Sequence, residues 1–363
     1  MDYLFPEGTL LDGGSYLVVA AVPEDVKTHY GLDSVSGPFE GALPNGGGTI
    51  RLRNRIDAIL LEVDYGDRDG WPISADGWGH SMVLARPSYG QGDVRSWFAS
   101  VAMEGSPGKA DPQLGDAYSG VVFNEVLAHT DDPILDYLEL YNYSDRDIDL
   151  SGCGLGDHPS EARFVIPEGT VIPARGYLAF DQSQLGFALS SAGETVALRV
   201  PEGGQVIDIF RFGGQENGVS IGRFPDGASL WNPLEQLTPG AANASPRAPR
   251  MVINEMMYHP ISEDSGDEFL ELYNAGSTPV DLSDWRVTGE IRLGIPEGTL
   301  VPGGGFLVLA KDAVRLRENY PALTEANTVG DFRGTLSNRG GRVALERPEV
   351  IEGINEEGEV IRE

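Results

Sequence analysis

The hydrophobic residues of this chain fall in short runs, broken by polar turns rich in glycine, proline and aspartate. The runs Val121-Val122-Phe123-Asn124-Glu125-Val126 and Tyr137-Leu138-Glu139-Leu140-Tyr141-Asn142 flank an acidic loop, a pattern that predicts an antiparallel pair of strands. The pair recurs almost intact over residues 251–256 and 268–274. A second phrase, Pro-Glu-Gly-Thr leading into an apolar run, occurs three times, within residues 5–20, 166–180 and 295–310. After it come a short helix predicted over 23–30, its counterpart over 312–320 with Asp312 as cap, and a shortened insert at 181–185. Further strands follow near Leu52, Leu198 and Leu345, with Asn45-Gly46 and Arg339-Gly340-Gly341 supplying hairpin turns.

These repeats divide the chain into units at 1–110, 118–246 and 250–363, joined by polar, proline-bearing linkers at 111–120 and 244–250. The first two units close on Gly105-Ser106-Pro107-Gly108 and Leu237-Thr238-Pro239-Gly240-Ala241-Ala242-Asn243. The first unit carries no Asn-Glu and Leu-Glu-Leu-Tyr-Asn strands, and the third stops before its counterpart of residues 62–81. Only the middle unit reads as whole. The expectation is a piece of a longer tandem array; the sharper alternative is head-to-tail self-association, with the third unit of one molecule accepting strands from the first unit of the next.

Composition narrows the partners. With 48 glycines and 24 prolines, the chain fits short strands and tight turns better than helices. Lysine and arginine total 26 against 56 acids, a net charge of −30, which repels phosphate backbones and anionic membranes, so nucleic acid is excluded as a direct partner. Cys153 is the sole cysteine, so no intrachain disulfide forms. No apolar run is long enough to span a membrane, and the first residues lack the pattern of a secretory signal.

Taken together, the Asn124-Glu125 and Tyr137–Asn142 strands, Ile148-Asp149-Leu150-Ser151, Pro167-Glu168-Gly169-Thr170 and Thr238-Pro239-Gly240-Ala241-Ala242-Asn243 resemble the lamin tail domain of large bacterial surface and secreted proteins. The resemblance covers the whole middle unit, the front of the third and the back of the first. It implies an all-β fold of tandem immunoglobulin-like sandwiches with incomplete outer units. It also implies a non-catalytic structural, adhesive or interaction role in a longer exported protein, outside the cell or on its surface, with a protein or cell-surface partner. It carries over no catalytic residue and no obligate cofactor. Where the third unit has Trp285, the middle unit has Cys153, which reads as a buried, inert thiol.

The remaining candidates come from the residues themselves. The acidic loop between the signature strands holds Asp131, Asp132 and Asp136, with Glu263, Asp264, Asp267 and Glu268 as rough counterparts; oxygen-rich loops of this kind are candidate Ca²⁺ sites. Trp71 and Trp78, set among glycines and aspartates, are a candidate shelf for a sugar ring. A Ca²⁺- or carbohydrate-binding module is therefore the alternative to a scaffold, and an accessory segment of an enzyme whose catalytic domain lies elsewhere is a third. The pairs Glu125/Glu139 and Glu255/Glu271 sit on neighbouring predicted strands, and strand alternation puts Glu139 on the solvent side of a half-buried strand. His29, His80, His129, His158 and His259 show no metal-ligand spacing.

Overall fold

Strands dominate the secondary structure, as the short apolar runs require. The computed structural model describes residues 1–68, 70–112, 116–159, 162–348, 352–354 and 360–362. Residues 113–115 of the expected linker and Glu363 at the expected end of the third unit lie outside them. The chain forms two compact units, Met1–Arg247 and Ala248–Glu363.

In the first unit, α1 (Pro23–Tyr30) starts on the proline and ends on Gly31 at φ 63°, a left-handed cap that glycine adopts freely. Two hairpins follow: β1 (Gly47–Arg53) pairs with β2 (Ile59–Gly66), and β3 (His80–Leu84) pairs with β4 (Trp97–Met103). The sandwich then begins with β5 (Val121–Leu127), β6 (Tyr137–Asn142), β7 (Ile148–Asp149), β8 (Gly154–Gly156) and β9 (Phe164–Val165). It continues through β10 (Val171–Ile172), β11 (Tyr177–Asp181), α2 (Gln182–Leu185), β12 (Thr195–Arg199), β13 (Val206–Arg211), β14 (Ile221–Arg223) and β15 (Trp231–Pro233). Its two sheets run in the order β11-β6-β5-β14-β15 and β13-β12-β8-β9. Phe123, Leu138, Leu140, Leu150, Leu155 and Leu198 close the space between them and are fully buried.

The second unit repeats this frame. Its strands are β16 (Met251–Met257), β17 (Phe269–Asn274), β18 (Val280–Asp281), β19 (Arg286–Gly289), β20 (Ile291–Gly294), β21 (Leu300–Val301), β22 (Phe306–Ala310), β23 (Thr328–Val329), β24 (Arg333–Gly334) and β25 (Val343–Glu346). Helix α3 (Ala313–Asn319) follows β22 and is capped by Asp312, which accepts from the Arg315 amide. The sheets run β16-β17-β22-β23 and β24-β20-β19-β25, with Leu270, Leu272, Leu282, Ile291 and Leu309 fully buried between them.

The same side chains fold the turns of both copies. Asn142 donates to the carbonyls of Arg146 (2.7 Å) and Pro173 (3.0 Å) and accepts from the Ser144 amide (3.0 Å). Asn274 donates to Thr278 and Val301, both at 2.9 Å, and accepts from the Gly276 amide at 3.0 Å. Asp149 and Asp281 each accept from the amide and hydroxyl of a serine two residues on, and Ser151 and Ser283 in turn accept from Gly169 and Gly298. Such Asx turns fix the chain direction locally, which is why these short polar phrases recur in the sequence.

Residues 1–110 sit in the same unit as the middle copy. The Arg199 guanidinium lies 5.3 Å from the Trp78 ring centroid, and Arg211 pairs with Asp76 at 2.7 Å. The buried His80 ring is wedged at this junction: Nδ1 lies 2.7 Å from the Ser100 carbonyl, and Nε2 lies 3.2 Å from the Val206 amide. A carbonyl only accepts and an amide only donates, so the ring is neutral with its proton on Nδ1. Burial lowers its pKa accordingly.

Leu155 is fully buried on β8, between the two sheets. Leu155→Ala is expected to lower the unfolding free energy of the first unit by about 2–5 kcal/mol, read from urea titrations. A loss below about 1 kcal/mol would contradict this placement of the core.

Candidate functional site

A bulge in β5 builds the polar centre of the middle copy. Phe123 faces Leu140 across the ladder, Glu125 faces Glu139, and Asn124 is the extra residue between them. On the far side of β5, β14 pairs Ile221 with Val126 and Gly222 with Glu125. Asn124, Glu125 and Glu139 are all completely buried.

Each acceptor is met. Glu125 Oε1 accepts from the Tyr137 hydroxyl (2.6 Å), the Ser220 hydroxyl (2.5 Å) and the Thr238 amide (3.2 Å), while Oε2 accepts from the Thr238 hydroxyl (2.8 Å). Glu139 accepts from Asn124 at 3.1 Å and from the Gly240 amide at 2.6 Å. Asp226 accepts from Asn124 (3.1 Å), Tyr177 (2.6 Å) and the Asn243 amide (3.0 Å), and Asn243 donates to the Asn124 and Arg223 carbonyls. The Thr238–Asn243 turn is thus a lid over the signature carboxylates. Gly222 has no room for a side chain: a Cβ there would lie 2.7 Å from Asn243 and Leu234.

Burial sets the protonation of this centre. Glu139 is pushed up to about 7, chiefly by desolvation and against its two hydrogen-bond donors. Tyr137 is raised far above the ordinary tyrosine range, by burial and by the Glu125 carboxylate it serves. A second carboxylate bridges the sheets: Asp208 on β13 accepts from the Phe123 amide at 2.8 Å and lies 3.5 Å from Arg223 on β14. Desolvation raises Asp208 to about 6, partly opposed by Arg223.

The structure corrects the expected solvent-side position of Glu139. All six residues of β6 are buried, because the second sheet covers one face and the Thr238–Asn243 lid covers the other. In the second unit Asn254 still donates to Glu271 at 2.7 Å, but Asn254 and Glu255 are exposed.

The candidate Ca²⁺ residues are engaged by other protein groups or face solvent. Asp131 accepts from Asn217 (2.6 Å), Asp136 is buried and accepts from Thr130 (3.0 Å), and Asp132 faces solvent. Arg315 holds Asp267 in a fork at 2.6 and 2.9 Å and lies 3.2 Å from Asp264, so Asp267 is pulled down to about 2. Glu263 is exposed, and buried Glu268 accepts from the Leu336 amide. Among the described residues no group of His, Cys, Asp and Glu is placed to hold a metal ion. Trp71 and Trp78 form no common shelf. Trp78 is 4% exposed against Arg199, and Trp71 is half-buried with its ring tilted toward Trp97. Cys153 is fully buried, and burial raises its thiol to about 11, so it is inert at neutral pH. His129 bonds the Gln215 carbonyl at 2.9 Å, and His259 is exposed.

The pH response of the lid follows with a definite sign. Glu139 has a higher pKa folded than its ordinary 4.5, so the folded state holds the extra proton between pH 4.5 and about 7. Its stabilising contribution is complete below pH 4.5 and is lost as pH rises toward 7. The urea midpoint of wild type minus that of Glu139→Gln is expected to fall from pH 4.5 to pH 7.5. The difference isolates Glu139 from His80, whose lowered pKa acts in the opposite direction. A flat difference across this range would show that Glu139 titrates as in the unfolded chain.

Comparison with known proteins agrees with the geometry. None of the curated proteins matches the chain. The family model of the lamin tail domain matches residues 115–214 and 244–359, together more than half of the 363 residues. These stretches hold the paired signature strands and the Asx turns of each copy, and the chain belongs to the lamin tail domain family.

Proposed function

We propose that this chain is a non-catalytic structural and interaction segment of a bacterial protein exposed outside the cell, and that copies join through open sheet edges. The observation that carries the reading is the fate of Glu125 and Glu139. They are the recurrent carboxylate pair on neighbouring strands, yet in the middle copy both are fully buried and engaged by the lid. Residues committed in this way serve the fold, and interaction falls to edges and outer faces.

The edge of β16 supports the second half of the proposal. In the middle copy β14 covers β5, and Ser220 and Thr238 reach Glu125. In the second unit no strand pairs with the outer edge of β16 among the described residues, Glu255 is exposed, and Met256 is 53% exposed. Among the described residues strand β3 has β4 on one side only, and Ser81 with Ser106-Pro107-Gly108 repeats the Ser220 and Thr238-Pro239-Gly240 pattern. Pairing β3 of one copy with β16 of another, Met82 opposite Met256 and Val83 opposite Glu255, would follow the register of the β14–β5 ladder, with Val83 in the slot that Gly222 holds in the middle copy.

Light scattering of the full chain over a concentration series tests the assembly. The mass is expected to rise with concentration, and more so in about 0.3 M salt than at low salt, because screening weakens the repulsion between chains of charge −30. Met256→Glu, a change at an exposed position, is expected to restore the monomer mass. A constant monomer mass for wild type would end the edge-pairing reading. Protease applied to intact source cells is expected to release peptides of this chain; protection until lysis would end the extracellular one.

A further inference from the structure

The outer face of the β24-β20-β19-β25 sheet carries a hollow lined by Arg286, Thr288, Arg292, Gly294, Asp331 and Arg333. Its floor is open because nothing lies within 4 Å of where a Gly294 side chain would begin. Arg286 is neutralised by Glu346 at 2.7 Å, which also accepts from the Thr288 hydroxyl at 2.5 Å. Arg292 and Arg333 are different. They stand directly opposite each other across the β20–β24 ladder, both are exposed, and neither has an ion-pair partner among the described residues. Asp331, also in the lining, accepts from the Ala313 amide at 2.8 Å.

Two facing guanidinium groups repel, at a cost of about 0.2–1 kcal/mol. A chain with 56 acids and 26 basic residues has carboxylates to spare, so this pair stands out against its surroundings. The middle copy shows the same frame with its arginines differently placed. Strand pairing puts Gly154 opposite Val165 there and Arg286 opposite Gly294 here, so Arg163 occupies the slot of Arg292. Arg163 is neutralised by Asp157 at 2.9 Å, and the slot of Asp157 in the second unit is Gly289. The slots of Arg286 and Arg333 hold Gly154 and Ala188. On this face the second unit has arginines in two further slots and no acid in the slot that balances a third, while Glu346 stands where the middle copy has Arg199.

We propose that this hollow binds an oxyanion, a carboxylate or a phosphate, gripped by Arg292 and Arg333. The guanidinium group presents paired N–H donors that match either anion in a fork, and a bound oxyanion removes the repulsion between the two arginines.

Calorimetric titration of the full chain with trigalacturonate and, separately, with inorganic phosphate tests the site. One of the two is expected to bind with a stoichiometry of one and to weaken several-fold between about 50 and 300 mM NaCl. Preference for trigalacturonate assigns a carboxylate ligand, and preference for phosphate a phosphorylated one. Arg292→Ala/Arg333→Ala is expected to weaken binding at least about tenfold while the melting temperature holds or rises, since a repulsive pair is removed. Arg292→Lys/Arg333→Lys keeps the charge without the fork and is expected to fall between the two. Should the double alanine variant unfold, Arg333→Gln alone gives the same reading. Absence of binding to both probes, or unchanged binding in the arginine variants, overturns the proposal.

Discussion

The middle copy depends on one constraint: a carboxylate with no access to water must have its oxygens met by protein donors. Glu125 is fully buried, and its donors come from β6, from the residue before β14 and from the lid. Leaving one buried polar group unmet costs about 1–3 kcal/mol, so these segments are held to one geometry by a single side chain. In the second unit the counterpart Glu255 is exposed and water can solvate it, so it places no such demand. The same residue is a structural keystone in one copy and an exposed edge group in the other.

Around that centre the fold is assembled from small repeated devices. Asn142 and Asn274 each tie one turn to the next, and Asp149 and Asp281 each order a serine that then holds a glycine amide. Each device needs a particular side chain and replaces water on backbone groups that would otherwise be buried unpaired. The apolar positions need only size and periodicity. This division explains why the polar phrases recur nearly letter for letter while core residues vary, as with Cys153 in the slot of Trp285.

Much of the fold was legible for the same reason. The β5–β6 pair, the helices near residues 23 and 313 and the internal repeat all follow from short-range pattern, and the structure contains them. The burial of Glu139 was not legible. Alternation along β6 assigns it to solvent, and only the return of the chain some hundred residues later, at Gly240, covers it. The cover of Trp78 is likewise distant: Arg199 lies far along the sequence. The acidic loops read as cation sites because acids cluster there in sequence, whereas Arg315 reaches Asp264 and Asp267 from a later helix. The Thr238–Asn243 phrase was visible as a terminator, but its role as a lid depends on which carboxylates lie beneath it.

The two copies also divide the frame into constant and variable surfaces. Strand register puts Arg199 beside Gly154 and Glu346 beside Arg286, so Arg199 and Glu346 occupy the same slot on the outer face of the second sheet. In the first unit that face is covered: Trp78 lies against Arg199, and Asp76 pairs with Arg211. In the second unit the slot has reversed its charge, and the neighbouring strands carry Arg286, Arg292 and Arg333. The turn asparagines and the aspartate–serine pairs are the same in both copies, so this exchange costs the frame little. A sandwich whose polar interior is fixed by hydrogen bonding is free to vary on that outer face from one copy to the next.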